Sequence, residues 1–270
     1  MVYGDIYSKI PTDLLTSLSG IKAPFFLKIA RLYFRVFGYP DIAGNGRFAH
    51  VIKMLEPKRG EGILDIGCGN GIYANSFSFH FGAKVIGIDI DKKRIKIANE
   101  IANSLENKAE FICRDAEKLN FPRQSFDKII CLEVIEHISN DRSLINKLSS
   151  FLKKGGIFVI STVKKERLSE KRELEKFKNA KKGKHVRSGY EFAEFKEMLN
   201  GAGFQILERK LYYRFFAKVT IRIQQYLYKK NLNCANILTY PILLFFSKLD
   251  FLIPENIGWY RGFIIKAIKK

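Results

Sequence analysis

From Gly62 to Ile160 the chain alternates short β-rich apolar runs with segments of helical periodicity. The runs are GILDIG, KVIGIDI, EFICRD, FDKIICLE and GIFVIST, and between them lie IYANSFSFHFG, KKRIKIANEIANSLEN and DRSLINKLSSFLKK. Strand and helix alternating at this spacing predict parallel strands joined by right-handed crossovers, an open doubly wound α/β sheet. Ligands of such sheets bind beyond the carboxyl ends of the strands. A further helix is expected in SGYEFAEFKEMLNGAG, closed by a glycine cap, then a strand near FQILERKLYY and a last strand in YRGFIIKAI. The resulting division is a helical cap over 1–50 and one domain over 51–270, with insertions at about 164–187 and 213–256.

The first run ends in three glycines at alternate positions, Gly67, Gly69 and Gly71, before a helical pattern begins. A glycine-rich turn between a buried strand and a helix lets a ligand come close to the backbone. The spacing alone is weak, but its neighbours sharpen it. Asp89 ends the second strand, where a carboxylate can accept both hydroxyls of a ribose. Asp115 follows the third strand, where it can accept from an exocyclic amine. The loop lacks the lysine and serine or threonine of a P-loop, so the expected ligand is an adenosine carrying something other than phosphates.

Composition narrows the setting. With 47% hydrophobic and 27% charged residues, most of the 270-residue chain should fold. The net charge of +20 favours an anionic partner, either nucleic acid or an acidic membrane surface. The N-terminus MVYGDIYSKIPTDLL does not read as a signal peptide, so a cytoplasmic location is expected. Cys68, Cys113, Cys131 and Cys234 have no zinc-site or disulfide spacing and are expected to be buried thiols. The apolar segment ILTYPILLFF is too short to span a bilayer.

ILDIGCGNG, GIDID, RDAEKLNFPRQSFDKIICLEVIEHI and LKKGGIFVIST together resemble the successive motifs of class I S-adenosylmethionine-dependent methyltransferases, from about Arg47 to Thr162 and less sharply to the end. The resemblance implies a Rossmann-like seven-stranded sheet whose last strand is antiparallel, with S-adenosyl-L-methionine as cofactor. It also implies that Gly67, Gly69 and Gly71 let the backbone approach the methionine part, with Asp65 supporting the amino group. Asp89 would take the ribose and Asp115 the adenine amine, with the Ala116 backbone alongside. Leu132 and Glu133 would flank the sulfonium. In the similar ubiquinone-biosynthesis O-methyltransferases an arginine at the distance of Arg47 pairs with the cofactor carboxylate, and a surface charge is the alternative here.

CLEVIEHI places Glu133, Glu136 and His137 just past the fourth strand, and His137 can titrate near neutral pH. Three roles stay open for His137: structural or substrate-orienting, general base, and metal ligand. The last follows from a resemblance to quinone and small-RNA methyltransferases in which two glutamates and a histidine of such a segment join a later histidine, here His185. Glu133 and His137 stand one helical turn apart, as ligands on one face should. His137 is carried forward as the catalytic candidate, and no metal is assigned.

Two segments combine cationic and bulky apolar residues as an interfacial helix would. One is KLYYRFFAKVTIRIQQYLYKK, with Lys210, Arg214, Lys218 and Arg222 as a stripe if the helix starts early, and with Tyr212, Phe215, Phe216, Val219, Ile223 and Tyr226 toward the other side. The other is FFLKIARLYFRVF, with Lys28, Arg31 and Arg35. The bland alternative is ordinary packing of amphipathic helices. The charged segment KKERLSEKRELEKFKNAKKGK reads as a solvated, self-paired helix or lid. The leading expectation is O-methylation of a small hydrophobic or lipid-linked acceptor at a membrane surface. The alternatives are an RNA methyltransferase, nucleic acid being the weaker partner because the cations interleave with aliphatics, and a non-catalytic binding module of the same fold.

Overall fold

Seven strands form one sheet in the computed structural model, which describes residues 42–165, 177, 184–212, 215–252 and 260–270, the side chains of 45, 233, 234 and 251 excepted. They are β1 (Gly62–Ile66), β2 (Lys84–Asp89), β3 (Glu110–Cys113), β4 (Phe126–Leu132), β5 (Leu152–Val163), β6 (Phe204–Tyr212) and β7 (Gly262–Lys269). Their order across the sheet is β3-β2-β1-β4-β5-β7-β6, with β7 antiparallel to both neighbours and the first five parallel. The order reverses between β1 and β4, which opens a crevice at their carboxyl ends.

The central strands are apolar on both faces because both are covered. Leu64, Ile129, Cys131, Phe158, Ile160 and Ile265 pack on one side with α4 (Asp141–Phe151) and α5 (Phe192–Gly201). Their alternates Ile63, Ile130, Val159 and Ile264 pack on the other with α1 (Ile42–Leu55), α2 (Ile72–Phe81), α6 (Phe215–Lys229) and α7 (Asn233–Lys248). Each such side chain, fully withdrawn from water, contributes about 1.5–3 kcal/mol. Asp91 caps α3 (Lys92–Ser104) by accepting from Lys93 N at 2.8 Å.

The late helices are tied to the first by polar side chains. Buried Gln224 of α6 accepts from Ile42 N at 3.1 Å and donates to Asn236 of α7 at 3.2 Å. Asp250 accepts from Phe216 N at 2.7 Å, satisfying an orphan donor where α6 begins. Helix α6 buries Ala217, Thr220, Ile221 and Gln224, and exposes Phe215, Val219, Ile223 and Tyr226. Helix α7 continues the pattern outward with Leu238, Ile242, Phe245 and Phe246.

Two expectations meet the structure differently, and others fall on residues that the structure does not describe. Lys210 lies in β6, paired with Ile264 of β7, so the basic stripe is shortened to Lys218 and Arg222 on α6, and these share the face of Phe215 and Val219 instead of opposing it, while Tyr212 is buried in β6. Arg214, the segment FFLKIARLYFRVF, the rest of 1–41 and most of the charged segment 164–184 lie outside the described residues. Cys113 is exposed, because β3 is the sheet edge, while Cys68 and Cys131 are buried free thiols. No helix among the described residues is long and apolar enough to cross a membrane.

Candidate active site

The turn after β1 is fastened to the end of β2. Gly67 N and Cys68 N both donate to Ile88 O, at 2.7 and 2.9 Å, and Gly69 N donates to Asp89 Oδ2 at 2.9 Å. Asp89 Oδ1 accepts from Asp91 N at 2.8 Å. Each carboxylate oxygen accepts more than one hydrogen bond, so these contacts leave capacity for two ribose hydroxyls. Asp115, just past β3, accepts from Glu117 N at 3.0 Å and caps the short turn Ala116–Lys118. Arg114 N donates to Asp89 O at 2.9 Å, which joins the two strand ends.

The three glycines divide by role. All have positive φ, 70°, 55° and 73° in order. A Cβ on Gly67 would stand 2.2 Å from Val134 Cγ2, and one on Gly71 would stand 2.6 Å from the Phe111 ring. A Cβ on Gly69 would meet nothing closer than Arg94 Nη1 at 3.8 Å. Gly67 and Gly71 are thus required by the protein's own packing, and Gly69 alone borders open space where a ligand can approach.

Asp65, at 2% exposure, has its Oδ2 buried with no hydrogen-bond partner. Burial, and secondarily the Asp89 charge, raise its pKa to about 8. A buried carboxyl with an unsatisfied oxygen suits a ligand ammonium, which would satisfy both its charge and its hydrogen bond. Leu132 and Ala116 are half-buried at the strand ends.

Glu133 follows β4 in a left-handed conformation, φ 56°, with its N–H donated to Ser161 O at 3.1 Å. Its carboxylate accepts from Ser161 Oγ at 3.1 Å and from the Tyr212 hydroxyl, and pairs with Arg47 Nη1 at 3.3 Å. Arg47 of α1 therefore reaches the carboxyl end of β4 and is not an isolated surface charge. Ser161 and Tyr212 were not legible as site residues, because no local motif marks them.

Past Glu133 the chain makes a 3-10 turn, Ile135–His137, in place of a continuing α-helix. Glu136, 1% exposed, accepts from Thr162 Oγ1 at 3.1 Å, and burial followed by Glu133 raises its pKa to about 8. The loop bearing His185 is pinned to this turn by Val186 N donating to Glu136 O at 3.0 Å and by Arg187 pairing with Asp141 at 2.6 Å. The rings of His137 and His185 consequently meet edge to face, 4.5 Å between centroids. Burial lowers both pKa values, and the neighbouring His137 lowers that of His185 further, so both rings are neutral at pH 7. His137 Nδ1 is buried without a partner. Glu136, His137 and His185 each offer a ligand atom within 4.8 Å of the others. The carboxylate grouped with the two imidazoles is that of Glu136, while Glu133 is held by Arg47, Ser161 and Tyr212.

Comparison with known proteins gives these residues their context. The family described as Methyltransferase domain matches residues 57–218. The chain is 32% identical over 129 residues to ubiquinone biosynthesis O-methyltransferase of Coxiella burnetii (strain Dugway 5J108-111), a match covering 45% of this chain and 55% of that relative. It thus spans about half the length of the curated relative. Phosphoethanolamine N-methyltransferase 2 of Haemonchus contortus, solved with S-adenosyl-L-methionine, is similar with a TM-score of 0.60 at 21% identity, over 93% of this chain and 60% of that one. The [4+2]-cyclase SpnF is similar with a TM-score of 0.60 at 20% identity, over 98% and 94%. Those two likenesses speak to fold alone, and the cyclase illustrates how one fold carries different chemistry. The sequence family matches more than half of the chain and the glycine turn, Asp89 and Asp115 share one sheet edge, so the chain belongs to the class I S-adenosylmethionine-dependent methyltransferases.

Proposed function

We propose that the chain transfers a methyl group to an oxygen of a hydrophobic or lipid-linked acceptor while docked on an anionic membrane surface. The observation that carries this reading is the exposed face of α6, where cations and large apolar side chains stand together. Lys218 and Arg222 share one surface with Phe215 and Val219, Ile223 and Tyr226 are exposed as well, and α7 exposes Leu238, Ile242 and Phe245. Exposed apolar surface of this extent is what an interface needs, and the +20 net charge suits anionic lipid. The printed name of the Coxiella relative, an O-methyltransferase of ubiquinone biosynthesis, supports an oxygen acceptor on a lipid-soluble molecule.

The sulfonium of the cofactor supplies an already activated methyl group. The protein must bind, align and deprotonate. Gly69, Asp89 and Asp115 would border the nucleoside, Asp65 would face the ammonium, and Arg47 would take the carboxylate. His137 is neutral at pH 7 because it is buried, and it can take a proton from an acceptor hydroxyl held between it and the strand ends. His185 packs against it and fixes the ring.

A second reading is favoured by the cluster of Glu136, His137 and His185. These three would hold a divalent cation, which would acidify a bound hydroxyl and draw the proton from Glu136. Oxygen and nitrogen donors in this set fit such an ion. Manganese or zinc titration then separates the roles: stoichiometric binding abolished by His185→Ala supports the cation, and its absence leaves His137 as base.

Flotation with phosphatidylglycerol vesicles tests the membrane claim. The parent chain should float and Ile242→Glu/Phe245→Glu should remain in the lower fractions with its cofactor binding intact. Equal flotation of both, or of neither, contradicts docking through this face.

A further inference from the structure

The cavity beside His185 has a volume of about 600 Å³, within the range of small-molecule sites. Lys164 and Lys165 enter it from the end of β5, Lys218 and Arg222 from α6, and Arg261 from the approach to β7, and no carboxylate stands among the described residues lining it. None of these five cations forms an ion pair among the described residues. Lys164 lays its ammonium over the Tyr260 ring at 4.4 Å. Elsewhere cations find carboxylates, as Lys128 does with Glu61 at 2.7 Å and Arg187 with Asp141 at 2.6 Å.

Converging like charges repel one another, and a bound anion offsets that repulsion. The two guanidinium forks and three ammonium groups match a ligand with several charged oxygens. A lone carboxylate occupies one fork, whereas a phosphoryl group can be shared among several cations. Ile221 and Tyr260 add apolar wall, so the rest of the ligand need not be polar.

We propose that this cavity binds a phosphoryl group carried by the methyl acceptor, leaving the atom to be methylated at the His137–His185 end. The inference rests on the methyl-transfer reading of the crevice, for only then is the molecule in the cavity an acceptor.

Calorimetric titration of inorganic pyrophosphate into the full chain tests it, with S-adenosylhomocysteine titrated in parallel. Pyrophosphate should bind, and Arg222→Gln/Arg261→Gln should weaken it about tenfold or more. Both side chains are exposed, so the variant should fold as the parent does. A control, Lys96→Gln/Lys196→Gln, removes as much charge from exposed helix faces and should leave the affinity unchanged. No binding of pyrophosphate, or equal weakening by the control, overturns the proposal. Loss of S-adenosylhomocysteine binding by the parent chain would instead sink the methyl-transfer reading. The source of the phosphoryl group follows from competition with phosphatidylglycerol vesicles. Displacement of the protein by pyrophosphate supports a lipid head group, and pyrophosphate binding that leaves vesicle binding intact supports a soluble phosphoester.

Discussion

Arg47 of α1 and Glu133, just past β4, face each other at 3.3 Å at the carboxyl end of the sheet. Glu133 is also held by Ser161 and Tyr212, so Arg47 is the partner more readily surrendered. A cofactor carboxylate can replace Glu133 on the guanidinium as a charge-assisted pair. Arg47→Ala should therefore weaken S-adenosylhomocysteine about tenfold to a hundredfold, as expected for a hydrogen bond to a charged group. Methylthioadenosine, which lacks the carboxylate, should bind both proteins alike. Equal losses for the two ligands would show that Arg47 acts only through the fold.

The glycine turn offers a contrast between packing and binding. Gly67→Ala places a methyl 2.2 Å from Val134 in a left-handed backbone, and should cost about 2–4 kcal/mol of stability. Gly69→Ala meets open space and should cost only the backbone penalty of about 1–2 kcal/mol. Cofactor affinity should fall in the Gly69 variant under conditions where it is fully folded. Thermal melts and calorimetry on the two variants check both statements, and a more damaging Gly69 melt would reverse the assignment.

The placing of the three candidate aspartates was legible because chemistry in a doubly wound sheet gathers at strand ends, and strand ends can be read from apolar runs. Asp65 lies one residue before the end of β1, Asp89 ends β2 and Asp115 follows β3, and the parallel pairing brings those ends to one edge. What failed depended on tertiary pairing. Lys210 fits a four-residue cationic stripe with Lys218, yet Lys210 pairs with Ile264 in the sheet, where strand contacts override local periodicity. Glu133 and His137 fit a helical turn, but the positive φ of Glu133 and the 3-10 turn after it put Glu136 beside the histidines. Lys165, Arg222 and Arg261 meet only because three distant segments converge, and no spacing announces that.

Asp65 should make cofactor binding depend on pH. Its folded pKa of about 8 exceeds its ordinary value of 3.8, so at pH 7 the free protein holds a proton there. A bound ammonium favours the ionised form, and binding at pH 7 should release that proton. Affinity for S-adenosylhomocysteine should then rise with pH up to about 8 and level off, on account of this group. The same raised pKa stabilises the fold fully below the unfolded value, and that contribution is lost as pH rises toward 8. Calorimetry in buffers of different ionisation enthalpy counts the proton, and Asp65→Asn should abolish its release. Proton uptake by the parent, or release unchanged in the variant, would contradict the placement of the ammonium.

The most direct measurement is transfer of labelled methyl from S-adenosylmethionine into a lipid extract by the parent chain and by His137→Ala. The account predicts label in an oxygen-methylated lipid product with the parent, and a rate at least about a hundredfold lower in the variant with S-adenosylhomocysteine affinity unchanged. Absence of label with the parent, or equal rates for the two proteins, would contradict it.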